Sequence, residues 1–378
     1  MMLSHWERES WTGYTDYLVV GAGIVGLSAA LRLKELYPQA EVKVLERGAL
    51  PTGASTKNAG FACFGSVSEL LDDLANLGQE AVLKLVQQRW EGLTRLRARL
   101  GDTALHYESV GGFELFRPAD QGRFSTCEAA IGQLNALLAP IIGEPDVFRL
   151  ANGRMPGFGF AGVSHLIENR CEGLLDTGRM MRALLHKAQS AGVLVLTATE
   201  VVGLEPGASS VEVATANHWR FQAGQVIVAT NGFARQLLPK LMVEPARAQV
   251  LITKPIPRLK LKGGFHYDAG YYYFRNVGER VLFGGGRNLD FEAERTDKFA
   301  LTAQVQDKLE DLLREMILPG QSFEVDHRWV GIMGVGESKM RILRKVHPRL
   351  TCAVRLGGMG VAIGSLLGDE VAEFVTEN

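Results

Sequence analysis

The sequence predicts an α/β fold, with a doubly wound sheet in one domain and an α+β arrangement in a second domain. Helical and strand patterns alternate along all 378 residues. An apolar, β-branched run at 16–20 ends in a glycine-rich turn, and a helical pattern of leucines and alanines follows it. Another strand pattern occupies 40–46. This strand–helix–strand order is the building unit of a parallel, doubly wound sheet.

The composition is that of a globular protein without a strong charge bias. Hydrophobic residues make up 46% and charged residues 22% of the chain, which are ordinary values. Forty-one basic residues against 42 acidic residues leave a net charge of −1. We therefore expect no nucleic-acid partner, because a nucleic-acid footprint needs a basic excess. The length suggests two to three domains.

Targeting and metal-binding signals are weak. No apolar run approaches the ~18 residues of a transmembrane helix, so we expect no membrane span. The opening "MMLSHWERES" is polar and unlike a secretory signal, which favours a cytoplasmic location. The four cysteines form no Cys-x-x-Cys pair, and we expect no metal site.

The glycine-rich turn has the spacing of a dinucleotide cradle. Gly21 permits the tight turn, Gly23 lets the backbone approach a pyrophosphate, and Gly26 lets helix and strand pack closely. The N-terminus of the following helix offers free N–H groups to phosphate. Glu46 ends the second strand, where a carboxylate accepts hydrogen bonds from ribose hydroxyls. The motif predicts a Rossmann-like domain but leaves NAD and FAD as alternatives.

Eight segments, in this order along nearly the whole chain, carry a more specific resemblance. They are "GAGIVGLSAA", "VLERG", "GASTKNAGF", "EGLLDTGRMMRALL", "VIVATNGFA", "YYYFR…VLFGGGR", "RWVGIMGVG" and "RLGGMGVAIGSLLG". The chain resembles the D-amino-acid-oxidase-type (DAO) family of FAD-dependent oxidoreductases. Within the family it is similar to the glycine-oxidase-like and gamma-glutamylputrescine-oxidoreductase-like branches.

The resemblance implies a domain organisation and a cofactor. We expect an FAD-binding domain from residues 1–75, 150–235 and 340–378, and a substrate domain from 76–149 and 236–339 with a mixed or antiparallel sheet. The implied FAD contacts are Gly21, Gly23, Ile24, Val25, Gly26, Glu46 and Arg47 in the ADP half, Ala54, Ser55, Thr56, Asn58, Ala59, Gly60 and Phe61 at the pyrophosphate and flavin edge, Val201 at adenine, Ala229, Thr230 and Gly232 near the pyrophosphate, and Gly358, Met359, Gly360, Val361 and Ala362 at the flavin ring.

The glycine turn near the C-terminus supports FAD rather than NAD. Gly357, Gly358 and Gly360 leave room for backbone N–H groups to face the ring. The helix that begins near Val361 would direct its positive end at the flavin N1/O2 region, where a reduced flavin is anionic. An NAD-only dehydrogenase gives this turn no role.

The FAD is expected to be non-covalent. Sarcosine-oxidase-like members attach flavin through a cysteine in the "RWVGIMG" region, and this chain has none there. Dimethylglycine-dehydrogenase-like members use a histidine where this chain has Asn58.

The resemblance also implies the chemistry, which is hydride transfer to flavin N5 from a C–H beside an amine nitrogen. Strand alternation places Tyr271, Tyr273 and Arg275 on one face of "YYYFR". We predict that Arg275 clamps a substrate carboxylate, that the two tyrosines wall the site, and that Met333 approaches from the other side. The substrate is expected to be a small amine, amino acid or hydroxy acid.

Two departures from the family pattern leave the substrate and electron acceptor open. Amino-acid-oxidising members often carry an arginine in the segment that here reads 330–334 without one, which puts a simple amino acid in doubt. The hairpin strand "RVLFGGG" lacks the oxygen-activating lysine of sarcosine-oxidase-like members. The alternatives are an FAD-dependent 2-hydroxy-acid dehydrogenase and, in another class, a catalytically silent flavin-binding protein.

Overall fold

The computed structural model describes residues 2–377, which form two large sheets, a two-stranded sheet and a set of helices. The strands are β1 (Thr15–Val20), β2 (Val42–Leu45), β3 (Phe61–Ala62), β4 (Gly112–Phe116), β5 (Phe148–Leu150), β6 (His165–Asn169), β7 (Gly173–Leu174), β8 (Leu194–Leu196), β9 (Val201–Pro206), β10 (Val211–Thr215), β11 (Arg220–Val228), β12 (Glu244–Thr253), β13 (Gly264–Tyr267), β14 (Tyr272–Val277), β15 (Arg280–Gly285), β16 (Val325–Val335), β17 (Ile342–His347) and β18 (Leu350–Val354).

The α-helices are α1 (His5–Glu7), α2 (Ile24–Leu36), α3 (Ala54–Lys57), α4 (Val67–Leu77), α5 (Gln79–Leu100), α6 (Asp102–Leu105), α7 (Gln121–Ile142), α8 (Met155–Phe158), α9 (Thr177–Ser190), α10 (Ala303–Leu312) and α11 (Gly360–Thr376). Short 3₁₀ segments lie at Pro118–Asp120, Asn152–Arg154, Asn231–Gln236 and Arg287–Leu289, and π-helical turns lie at Arg8–Thr12 and Leu313–Ile317. Within residues 2–377, no helix is both long and apolar enough to cross a membrane.

The first sheet is the doubly wound one. Its order is β17-β18-β11-β1-β2-β8, and β10 and β9 extend from β11. The pairs from β18 to β8 are parallel, while β17 pairs antiparallel with β18. Alternate residues of β1 enter different cores: Val19 packs with the helical layer that includes α2, α9 and α11, and Leu18 packs with residues of β9–β11. Strands buried on both faces explain the continuous apolar run of β1.

The second sheet is mixed and mostly antiparallel. Its order is β16-β12-β15-β14-β13-β4-β6-β5, and its one parallel pair within the described residues is β13 with β4. The predicted hairpin forms between β14 and β15. Tyr272 and Phe274 face an apolar core, as the alternation requires, and Tyr273 faces the opposite side. The predicted combination of a doubly wound sheet with an α+β domain is confirmed.

The structure divides one predicted segment between the two large sheets. Residues 150–235 were expected to belong to the FAD-binding domain, but β5 and β6 pair with β4 in the second sheet. The chain returns to the first domain with α9, whose buried side chains join the core around α2. Short strands separated by loops carry no signal of which sheet they join, so composition could not locate this crossing.

Helix α5 also departs from the predicted partition. It lies in the predicted substrate segment 76–149, yet it packs on α11 of the nucleotide-binding domain. At the contact, Gly92 approaches the backbone so closely that a Cβ atom there would lie 2.1 Å from the Ala362 carbonyl oxygen. Helix α5 therefore belongs physically to the first domain and carries side chains from it toward the second.

Candidate active site

One elongated cavity begins at the edge of the first sheet and ends against the second sheet. It starts where β1 and β2 end, because the carboxyl ends of parallel strands meet at one edge of a sheet. Its far end is bordered by Tyr271, Tyr273 and the C-terminal turn at 356–362. Both predicted glycine motifs therefore lie on the same cavity, although they are more than 330 residues apart.

The first glycine turn has the geometry that its sequence predicts. Gly21 adopts φ +105°, a conformation that L side chains rarely adopt. A Cβ on Gly26 would lie only 1.9 Å from the Gly21 carbonyl oxygen, so only glycine lets α2 pack here. Gly21, Gly23, Ile24 and Val25 border the cavity, whereas Gly26 acts through this packing contact.

Glu46 is fixed at the end of β2 with its carboxylate on the cavity. One oxygen accepts a hydrogen bond from the Ala22 N–H at 3.0 Å. The other accepts from the Gly48 N–H and the Thr52 hydroxyl, both at 3.1 Å. The side chain is 5% exposed. This geometry fits a group that holds a ribose diol, because the carboxylate is already oriented before a ligand arrives.

The cavity wall near Glu46 combines a cation with apolar groups. The Arg47 guanidinium lies 3.7 Å from the centre of the Phe233 ring, and both residues border the cavity. Val201, Ala229 and Thr230 also border it. Together with Glu46 and Arg47, these three residues form the wall of the predicted adenine and pyrophosphate half of the cavity.

Gly232 does not border the cavity. It packs against β16 instead, where a Cβ would lie 2.5 Å from the Met333 carbonyl oxygen. This turn crosses β16 at close range, so Gly232 supports the cavity wall through that packing, and its contact with FAD stays a prediction.

The segment 54–61 folds around Asn58. The Asn58 amide nitrogen donates to the Ser55 carbonyl at 2.9 Å, and its side-chain oxygen accepts from the Gly60 N–H at 2.9 Å and from the Thr177 hydroxyl at 2.8 Å. Ala54, Ser55, Asn58, Ala59 and Phe61 border the cavity.

Two predicted contacts in this segment do not face the cavity. The Thr56 hydroxyl donates to the Pro51 carbonyl at 2.7 Å, so it stabilises the turn. Gly60 adopts φ +76° beneath the segment, where a Cβ would lie 2.2 Å from the Leu175 carbonyl oxygen. Both residues shape the loop and do not line the cavity. The sequence motif does not distinguish these two roles.

Arg275 does not have the predicted role of a carboxylate clamp. Its Nη1 donates to the carbonyls of Ala59, Gly60 and Leu175 at 3.3, 3.0 and 2.8 Å. The residue is 7% exposed and does not border the cavity. Burial lowers the pKa of Arg275 to about 10. Strand alternation predicted the face of β14 on which Arg275 lies. However, segment 59–60 covers this end of β14, and its carbonyls accept hydrogen bonds from the guanidinium.

The two predicted tyrosines do border the cavity, and so does Met333. Tyr273 lies across the sheet from His266, its register partner on β13. Burial raises the pKa of Tyr273 to about 12, so its hydroxyl is a neutral donor at ordinary pH. Tyr271 is 36% exposed and lies nearer the mouth. Met333 approaches the turn at Gly358, with its sulfur 3.4 Å from the position of a Cβ there.

The C-terminal turn brings a helix N-terminus to the cavity. Gly357 and Gly358 adopt φ +56° and +85°, and α11 begins at Gly360. Met359, Gly360, Val361 and Ala362 all border the cavity. The first N–H groups of a helix have no intrahelical acceptor, so this end of α11 can donate to an electronegative ring edge. The site thus fits a dinucleotide whose phosphates meet α2 and whose ring meets α11.

Polar side chains that were not predicted as site residues also border the cavity, and five of them bear on its chemistry. They are Cys63, Glu69, Arg89, His266 and Arg287. They come from elements that are far apart in sequence, so no local motif groups them. The closest signal was the position of Cys63 just beyond the flavin-edge segment.

His266 forms a buried pair with Glu172. Its Nε2 lies 3.2 Å from a Glu172 carboxylate oxygen. Burial is the largest single effect and disfavours the imidazolium, but the charge and hydrogen bond of Glu172, together with the charges of Glu69 and Glu114, outweigh it and raise the pKa of His266 to about 9. The Cys63 sulfur lies with these two groups, and the three candidate ligand atoms are within 4.8 Å of one another. His266 and Glu172 balance each other's charge without a metal ion. The expectation of no metal site stays a prediction.

Comparisons with known proteins identify the class. Residues 16–374 match the family model DAO, described as FAD dependent oxidoreductase. The chain belongs to this family, so it is an FAD-dependent oxidoreductase, as its motifs predicted. A curated relative, the bifunctional protein ThiO/ThiG of Synechocystis sp., is 24% identical over 283 residues, which are 71% of this chain and 36% of that protein. The chain thus matches about a third of that relative's length.

Solved structures share the fold over nearly the whole chain. L-proline dehydrogenase from P. horikoshii superposes with a TM-score of 0.75 at 19% identity and covers 97% of this chain and 94% of that one. Glycine oxidase from Geobacillus kaustophilus gives 0.72 at 21%, covering 96% and 94%. Iminodiacetate oxidase from Chelativorans sp. BNC1 gives 0.73 at 24%, covering 95% of each chain. At these identities the likeness shows the fold.

Proposed function

We propose that this protein oxidises a C–N bond of a small amine or amino acid with non-covalently bound FAD. The observation that carries the proposal is one continuous cavity that joins the first glycine turn and Glu46 to a wall formed by Tyr273, Met333 and the C-terminal turn. Related structures are named for glycine, iminodiacetate and L-proline. All three compounds have a C–H bond next to an amine nitrogen.

The cofactor would be held by groups that are already oriented. Glu46 would hold the ribose, the N-terminus of α2 the pyrophosphate, and the N-terminus of α11 the electron-accepting edge of the ring. Bound FAD supplies the acceptor for the hydride that leaves the carbon next to the amine nitrogen. The imine product then hydrolyses in water.

Non-covalent attachment is supported by the state of the nearest nucleophiles. Burial, together with the Glu172 and Glu69 charges, raises the pKa of the Cys63 thiol well above its ordinary value, so the reactive thiolate is disfavoured. Asn58 has no nucleophilic nitrogen, and its amide is committed to the backbone of its own loop. His266 is held as an imidazolium by Glu172.

The same imidazolium favours an amine over a 2-hydroxy acid. Oxidation of a C–OH group needs a base that takes the hydroxyl proton, and a histidine that is already protonated cannot serve. A substrate amine that binds deprotonated needs no such base. Tyr273 keeps its proton and can donate a hydrogen bond to the substrate.

The first experiment is an absorption spectrum of the purified protein before and after acid precipitation. Non-covalent FAD predicts a two-band flavin spectrum whose colour moves to the supernatant, and colour left in the pellet would contradict it. The holoenzyme is then mixed anaerobically with paired amines and 2-hydroxy acids. Bleaching by amines alone supports the proposal, and bleaching by hydroxy acids alone supports the alternative dehydrogenase.

A silent flavoprotein would be bleached by dithionite but by no compound of either set. Repeating the productive reaction in air, with and without an artificial dye, distinguishes the electron acceptor. An oxidase forms hydrogen peroxide without the dye, whereas a dehydrogenase turns over only when the dye is present.

A further inference from the structure

Arg89 is a charged residue on an otherwise apolar face. It lies on α5, whose buried side chains include Val82, Leu85, Val86 and Leu93. The residue is 4% exposed, and its guanidinium borders the cavity. A buried charge is costly unless it is paired, so its partners matter.

The Arg89 guanidinium is only partly satisfied by the protein. Its Nη1 donates to the Phe64 carbonyl at 2.7 Å, which is its single hydrogen bond among residues 2–377. Its Nε is buried without a hydrogen-bond partner. In the described part of the chain, no ion pair within 4.0 Å includes Arg89. Nε and Nη2 therefore make no hydrogen bond with the described residues, and only Nε of the two is fully buried.

Three other buried arginines of this chain each have an ion-pair partner or several backbone acceptors. Arg247 forms two hydrogen bonds with Glu294, at 2.7 and 2.8 Å. Arg99 pairs with Asp369 at 2.7 Å, and Arg275 contacts three backbone carbonyls. Arg89 differs from them in that it makes one hydrogen bond, forms no ion pair with the described residues, and borders the cavity.

The carboxylates of Glu69 and Asp73 act electrostatically on Arg89 but bond to other groups. Glu69 completes the N-terminal capping box of α4 by accepting from the Ser66 N–H at 3.1 Å. Asp73 pairs with Lys339 at 2.5 Å. Burial lowers the pKa of Arg89. The charges of the two carboxylates oppose this lowering, although neither forms an ion pair with the guanidinium. The guanidinium stays charged and lacks a close anion.

Arg89 lies in the substrate half of the cavity. It acts electrostatically on the Cys63 thiol, and the Cys63 sulfur is 3.9 Å from the Met359 sulfur in the C-terminal turn. The neighbouring Glu69 carboxylate lies against Gly270, beside Tyr271. Arg89 therefore borders the end of the cavity near the C-terminal turn and Tyr271, where a substrate would meet the ring.

We propose that Arg89 binds a carboxylate of the substrate and thereby makes the enzyme selective for amines that carry one. A guanidinium that borders the cavity, has an unpartnered Nη2 and lacks an anionic partner can donate charge-assisted hydrogen bonds to a carboxylate. The inference rests on the proposed amine oxidation and specifies its substrate class. It gives Arg89 the role predicted for Arg275, whose guanidinium is bonded to backbone carbonyls, and segment 330–334 contains no arginine that could serve instead.

The test compares pairs of amines that differ only by a carboxylate. They are glycine and methylamine, N-methylglycine and dimethylamine, and proline and pyrrolidine. With wild-type holoenzyme we expect anaerobic flavin reduction at least tenfold more efficient for the acid of a productive pair. In R89Q we expect KM for the acid to rise at least tenfold while the matched amine changes less than twofold. R89K should fall between them, since lysine keeps the charge but not the fork.

A second readout does not depend on turnover. Acetate, which cannot be oxidised at an amine, is titrated into holoenzyme while the flavin absorption bands are followed. We expect its Kd to rise at least tenfold in R89Q and to stay unchanged in R97Q, which removes an exposed arginine of the same helix. Equal efficiencies within each wild-type pair, or an unchanged acetate Kd in R89Q and R89K, would overturn the proposal.

The two proposals fail in different ways. If no amine of any pair reduces the wild-type flavin, the proposed function fails, and acetate binding still decides whether Arg89 holds an anion. If R89Q does not fold with FAD, R89K and the wild-type pairs decide, because an acid KM unchanged in R89K contradicts a carboxylate contact.

Discussion

The Arg275 guanidinium lies 2.8 Å from the Leu175 carbonyl oxygen and joins three separate parts of the fold. Arg275 belongs to the second sheet, Leu175 leads into α9, and the other acceptors, Ala59 and Gly60, belong to the flavin-edge segment. The contact links the two domains at the cavity wall. Its chemistry is that of a buried cation satisfied by backbone dipoles.

We predict that R275M destabilises the protein and loosens FAD rather than weakening substrate binding alone. Losing the charged donor leaves the Ala59 and Leu175 carbonyls without this partner, while the Gly60 carbonyl keeps the Leu175 N–H. We expect the free energy of unfolding to fall by about 3 kcal/mol. Tm and the Kd for FAD are the measurements. A variant with normal Tm and FAD affinity, but with a raised KM for carboxylate substrates alone, would restore the clamp role.

Arg275 shows what strand alternation can and cannot predict. The period of two placed Tyr273 on the cavity side and Phe274 in the core, because it follows from the geometry of one strand. It could not predict that segment 59–60 covers Arg275, because that contact joins residues more than 200 positions apart. Arg89 was not predicted as a site residue for a similar reason, because its contact with Phe64 joins residues 25 positions apart on different elements.

The nucleotide half was predictable because its signals are local. A glycine turn between a strand and a helix, with a carboxylate at the end of the next strand, fixes a geometry within about 30 residues. The predicted FAD-binding segment 150–235 begins near β5 and β6, which join the second sheet and are too short to carry such a signal. The His266–Glu172 pair likewise needs three-dimensional proximity that no sequence spacing encodes.

Gly26 should tolerate no larger side chain. In G26A the new Cβ would overlap the Gly21 carbonyl oxygen at 1.9 Å, so α2 must shift away from β1. We expect a loss of about 3 kcal/mol in the free energy of unfolding, together with loss of FAD. Thermal unfolding and the flavin content of the purified protein measure both effects. G153A is the matched control, since a Cβ there meets nothing within 4 Å and should leave both unchanged.

Glu46 should matter for FAD affinity. In E46Q one carboxylate oxygen becomes an NH₂ group, which cannot accept hydrogen bonds from N–H groups or ribose hydroxyls. We expect the Kd of the apoprotein for FAD, measured by quenching of flavin fluorescence, to rise at least tenfold. E205Q, which alters an exposed glutamate on β9, should leave the Kd unchanged. Equal affinities in E46Q and wild type would remove Glu46 from the ribose site.

The His266–Glu172 pair should make stability depend on pH in a defined direction. The pKa of His266 is raised from its ordinary 6.5 to about 9 in the folded protein. A group whose folded pKa is raised contributes stability that is fully present below the unfolded pKa and is lost as the pH rises through the folded pKa. In E172Q the imidazolium loses its counter-charge, and burial then disfavours it.

We therefore expect the difference in free energy of unfolding between wild type and E172Q to be largest near pH 6 and to shrink steadily toward pH 10. Urea unfolding across this range measures it, and E80Q, which changes an exposed glutamate at the start of α5, should show no comparable trend. A difference that stays constant from pH 6 to pH 10 would mean that His266 is not held as an imidazolium. The preference for amines over 2-hydroxy acids would then lose its physical basis, because a neutral His266 could accept a hydroxyl proton.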